Sequence, residues 1–168
     1  QAIEVFKTPG APLHGYKSLH WTLDFPAIDP SVQKLTLQVN RIGFRAEPAI
    51  SYPIELGPRP AVGDSWPIHE ILTIGAISLE VKQARMVELT SAGQPMVGLV
   101  LDIAPHDPAQ VQLTQVWLSA PGSVEIFDET SQTWAPAWQP QAFPRDHIDI
   151  RLTLLDGVLN GDWNIQWE

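Results

Sequence analysis

Sixteen prolines are scattered along this 168-residue chain, and the segments between them alternate apolar with polar side chains. Proline fixes φ and brings no amide hydrogen, so it breaks helix interiors and is unwelcome in central strands. No stretch of ten residues carries apolar side chains at helical spacing, so the sequence predicts no helix. Short alternating runs separated by turn formers predict an all-β fold instead.

The strongest such signal runs from Ile71 to Ile103. In its first arm, Ile74 to Lys82, residues Ile77, Leu79 and Val81 share one face and Ser78, Glu80 and Lys82 the other. Successive strand side chains point to opposite faces, so this arm predicts one buried face and one wet face. The second arm, Met96 to Ile103, is apolar almost throughout, as suits an inner strand covered on both sides. Thr90 to Pro95, a cluster of turn formers, connects them. The expected fold is an antiparallel immunoglobulin-like β-sandwich with this pair at its centre and an N-terminal hairpin arm. Its expected core contains Leu79, Val81, Leu99, Leu101, Ile150, Leu152 and Trp163.

Around this pair the chain divides into an arm over residues 1–18 and a sandwich over residues 19–168. Ile3 to Phe6 predicts a short strand in the arm. Leu19, Trp21, Leu23 and Phe25 alternate with polar residues and are expected to form a hairpin with Leu35 to Asn40. The proline-rich stretch Arg45 to Pro67 predicts a surface loop with an edge strand near Tyr52 to Leu56. Strands are expected at Val111 to Leu118 and Val124 to Phe127. Trp134 to Pro144 is expected to run over the surface, because Pro136 and Pro140 donate no ladder hydrogen bond. Ile148 to Leu154 alternates regularly, Asp156-Gly157 and Asn160-Gly161 mark a turn region, and Trp163, Ile165 and Trp167 form a last strand.

Several function classes are disfavoured by composition. A net charge of −9 opposes contact with nucleic-acid phosphates or anionic lipid. The chain has no cysteine, so it holds no disulfide, thiolate nucleophile or cysteine zinc site. No run of about 18 apolar residues occurs, so no membrane insertion of this stretch is expected. The sequence begins at Gln1 rather than Met, and we expect either a removed targeting segment or a piece of a longer protein.

Three segments carry a resemblance. One is Ile71 to Val87, with a glycine turn at Gly75, an alternating strand and a lysine-containing rim. The second is Phe25-Pro26-Ala27-Ile28-Asp29-Pro30 followed by Leu35-Thr36-Leu37-Gln38-Val39. The third is Gly161-Asp162-Trp163-Asn164-Ile165-Gln166-Trp167. Together they resemble the immunoglobulin-like extracytoplasmic domains of bacterial anti-sigma-factor-like surface proteins of unknown function. The resemblance implies a sandwich outside the membrane, at the cell surface, as part of a longer membrane-anchored protein, and it implies no catalytic residues.

Residues able to carry chemistry are sparse. There is no Gly-x-Ser-x-Gly elbow, no His-Glu-x-x-His and no phosphate-cradling glycine loop, and the five histidines are spread widely. Asp146, His147 and Asp149 form the densest polar cluster, with Asp102, His106 and Asp107 a weaker one. Oxygen-rich turns can hold Ca²⁺. Water-facing polar residues at strand ends explain both clusters equally well, so the expectation is no metal, no cofactor and no enzyme activity. Trp21, Trp117, Trp163 and Trp167 lie in alternating strands and read as core. Trp66, Trp134 and Trp138 lie near prolines and are the candidate ligand-binding residues, since exposed aromatics stack on sugars or anchor protein partners; the competing expectation is that they fold back as lids over the sandwich ends. The expected function is therefore a non-catalytic extracytoplasmic structural or protein-interaction module. The alternative is a carbohydrate-binding module using Trp134, Trp138 and Trp66.

Overall fold

A computed structural model of the chain describes residues 3–4, 20–21, 31, 34–75 and 77–167. The fold is all-β. Two short strands, β1 (Ile3–Glu4) and β2 (His20–Trp21), pair antiparallel as a separate unit. The remaining strands are β3 (Leu35–Ala46), β4 (Ile50–Glu55), β5 (Ser65–Ile74), β6 (Ile77–Ser91), β7 (Gln94–Pro105), β8 (Val111–Ser119), β9 (Val124–Asp128), β10 (Thr133–Trp138) and β11 (His147–Trp167). Among the described residues the one helical element is a 3-10 turn at Pro140–Ala142.

These nine strands form one sheet in the order β3-β11-β8-β10-β7-β6-β5, with β4 added on β11 and β9 on β10. The sheet is mixed rather than wholly antiparallel, because β8 and β10 run parallel. β4 and β5 lie far apart in the sheet order. Even so, Tyr52 and Ile54 of β4, Leu72 of β5 and Leu79, Leu101, Leu118 and Ile150 belong to one buried cluster. The sheet therefore curls around a common core.

The central pair matches its alternation. Ile77, Leu79 and Val81 are buried while Ser78, Glu80 and Lys82 are not, and β7 is buried from Met96 through Leu101. Val97, Leu99 and Leu101 face the main core. Met96 and Val100, on the other face, join Leu89, Ala135 and Ala137 in a second cluster. Of the expected core, Leu79, Val81, Leu99, Leu101, Ile150 and Leu152 are buried together. The side chain of Trp163 lies outside the described residues.

Three expectations about local structure are corrected. The stretch Ile74 to Lys82 is not one strand: Ile74 pairs with Ile77 across a reversal in which Gly75 adopts φ 60°. The connection between β6 and β7 shrinks to Ala92-Gly93, both at positive φ, the geometry that type I′ hairpins require. β11 continues through Asp156-Gly157 and Asn160-Gly161, with register shifts between Asn160 and Trp163 against β3 and at Leu152/Leu154 and Asp156/Gly157 against β8. β3 pairs with β11, and its expected hairpin partner is the strand Leu19 to Phe25. Of that expected strand only His20 and Trp21 are described; the rest of Leu19 to Phe25 lies outside the described residues, as does most of the arm.

Candidate functional site

The tryptophan segment is a strand, not a surface loop. β10 pairs with β9 from Thr133 to Ala137, with β8 at Thr133 and Trp134, and with β7 at Ala137 and Trp138. Ala135 and Pro136 are in register with β9 alone, so no second strand asks Pro136 for an amide. Pro136 is also fully buried. Trp138 is 4% exposed and packs edge-on against Phe143, with ring centroids 5.3 Å apart. Trp134 is half-buried and tilts against its cross-strand partner Phe127, also at 5.3 Å. Trp66 lies in β5 opposite Ala84 and packs, half-buried, against the main core. The three rings are thus dispersed over two regions, with no ring contact joining them among the described residues.

Neither polar cluster converges on a point. Among the described residues no three His, Asp or Glu side chains gather to hold a metal ion. Asp102 accepts hydrogen bonds from Gln83 Nε2 at 2.7 Å and from Arg85 Nε at 2.8 Å. Its place in an apolar strand is therefore explained by partners across β6. Asp107 accepts from the amides of Ala109 and Gln110 and shapes the turn after β7. The backbone carbonyl of Asp146 accepts from Leu56 N.

A concavity lies elsewhere. β7 and β8 follow one another through a five-residue turn, yet no ladder joins them. They splay apart and leave a cleft of about 650 Å³ between them. Leu101, Val111 and Val116 supply apolar walls, and Lys82, Arg85 and Asp102 lie along the lining. Beyond Gly98, no described strand is in register with the edge of β7 that faces away from β6. Residues 111–115 of β8 likewise have only β11 in register.

The phase of the β6–β7 ladder tells which groups face the cleft. Ser91 and Gln94 close the two-residue turn, so they form a hydrogen-bonded pair. Hydrogen-bonded and non-hydrogen-bonded pairs alternate along an antiparallel ladder. The pair Ala84–Leu101 is then non-hydrogen-bonded, and Leu101 directs its amide and carbonyl away from β6. Leu101 is itself 2% exposed. Buried backbone polar groups are almost always paired with protein or water.

Sequence reasoning missed this cleft. Alternation reports which face of a strand is buried, whereas an open edge depends on which strand fails to arrive. Among known proteins, no family model, curated protein or solved structure matches the chain. Among the described residues no helix is long and apolar enough to cross a membrane.

Proposed function

We propose that the chain is a non-catalytic module for protein interaction, and that the β7–β8 cleft is its contact surface. The observation that carries this reading is the pair of strand edges lining one cleft that have no partner among the described residues. Unpaired edges are templates for another chain, and most proteins cover or blunt them. The outer strand β5 has such protection: Pro67 lies within it, and a register shift between Pro67 and Glu70 contains His69 at φ 55°. The β6–β7 ladder shifts between Val81 and Gln83, opposite Ile103 and Asp102, but the extra residue lies on β6 and β7 itself continues in regular succession.

The finer fold reading is an immunoglobulin-like sandwich with an N-terminal hairpin arm, placed outside the membrane as part of a longer anchored protein. The two-sided burial of β7 supports two packed layers in its neighbourhood. The carbohydrate alternative has weaker support, since Trp138 is buried and Trp134 and Trp66 are each half-buried on different strands.

Site-specific photo-crosslinking in the producing cells tests the interaction reading. A photoreactive residue replacing Gln112 or Gln115, in the cleft, should capture one protein repeatedly. The same residue at Glu47, exposed just beyond β3, should not. Equal capture from both positions, or none from the cleft, would refute this assignment.

A further inference from the structure

Resting on the interaction reading, we infer that the occupant of the β7–β8 cleft is an extended peptide segment with alternating apolar and acidic side chains, added as a strand to the edge of β7. The backbone supplies the first reason. Leu101 directs its amide and carbonyl into the cleft, and regular alternation along β7 brings Ile103 to the same edge. An added strand satisfies such groups two residues at a time, which a compact ligand does not. The edge from Leu99 to Pro105, with which no described strand is in register on this side, is roughly 20 Å long at an ordinary strand rise, enough for a short segment to pair along it.

The side chains supply the second reason. An added strand presents alternate residues to opposite sides. One side meets the apolar walls at Leu101, Val111 and Val116. The other meets Lys82 and Arg85. Arg85 is paired with Asp102, while Lys82 is exposed and takes part in no ion pair among the described residues. Two cations against one carboxylate leave the lining at +1, on a chain whose net charge is −9. Acidic residues at every second position complement that rim and suppress wrong partners more than they add affinity.

Titration of the isotope-labelled chain with a synthetic alternating Val–Glu peptide of about ten residues, a length that covers a ~20 Å edge, tests the inference. Three controls accompany it: an alternating Val–Lys peptide, a Val–Glu peptide N-methylated at alternate residues, and a peptide of residues 19–25 of this chain. The expected result is slowed amide exchange at Leu101 and Ile103 with Val–Glu. Binding should be about ten-fold weaker with Val–Lys and lost on N-methylation. The exposed-residue variant Lys82→Glu should reverse the charge preference. Equal binding of Val–Glu and Val–Lys overturns the acidic assignment, and equal binding of the N-methylated peptide overturns strand addition. Preferential binding of the 19–25 peptide overturns the acidic partner in favour of a segment of the chain itself. If no peptide binds while cleft-specific crosslinks persist, this inference fails and the interaction reading stands. If the crosslinks also vanish, both fail.

Discussion

Gly157 lies in mid-strand on β11, where a side chain is ordinarily an asset. A Cβ added there would come within 2.5 Å of the Phe44 ring and 2.7 Å of the Gln112 carbonyl oxygen. The ring can shift; the carbonyl belongs to the β8 backbone and cannot move without disturbing the ladder. Gly157→Ala should therefore destabilise by about 1–3 kcal/mol, the range for overpacking. Combining it with Phe44→Leu should recover part of that loss, and additive losses in equilibrium denaturation would contradict the close approach. Tyr52 makes a pH-dependent prediction. Burial, and then the charge of Glu70, raise its hydroxyl pKa above the ordinary value. The unfolded chain then loses this proton first. The stabilising contribution is complete below about pH 10 and is lost as pH rises from there through the folded value. Tyr52→Phe should flatten the decline in urea midpoint above about pH 10, and an unchanged slope would argue against a buried neutral hydroxyl.

β10 is the element whose character depends most on its neighbours. Its sequence, Thr133-Trp134-Ala135-Pro136-Ala137-Trp138, has a proline and two small residues where a central strand ordinarily has β-branched ones. The small residues fit because Ala135 and Ala137 pack under Leu89, Met96 and Val100 in the second cluster. Gly98 of β7 belongs to the same close approach: a Cβ there would fall on Leu89 Cδ1. The two tryptophans should behave unequally. Trp138→Ala should cost about 3–5 kcal/mol, as for a buried aromatic, with its fluorescence shielded from acrylamide. Trp134→Ala, half-buried on Phe127, should cost distinctly less. Equal losses would mean that the two rings are equally enclosed.

At the scale of the molecule, strands distant in sequence share one core. β11 alone pairs with β3, β4 and β8 and so ties residues 35–55 to residues 111–167. Tyr52 and Glu70 are close enough to interact, which brings β4 and β5 together across the curled sheet. A core assembled from eight strands has no part that can keep its burial alone. The main sheet should therefore unfold in one transition, with far-ultraviolet circular dichroism and tryptophan fluorescence coincident in denaturant. Separate midpoints would show that the strands around the second cluster melt independently.

The all-β class, the absence of long helices and both faces of the central hairpin were legible in the sequence, because alternation and proline placement act locally. Ile77, Leu79 and Val81 alternate with polar neighbours whatever the rest of the chain does, and Met96 to Leu101 can be satisfied only by cover on both sides. Turns were less legible. Gly75 does reverse the chain, with φ 60°, whereas Gly157 sits within a strand to admit the Phe44 ring, and both are simply glycine in sequence. Pro136 was misread for a related reason. A proline is excluded only where an amide is needed, and register with β9 alone removed that need. The candidate site was not legible at all. Nothing in Leu99 to Pro105 or Val111 to Gln115 reveals that these strands, adjacent in sequence, fail to pair. That separation is decided by β10, which bridges both at one end and leaves their edges without a described partner beyond it.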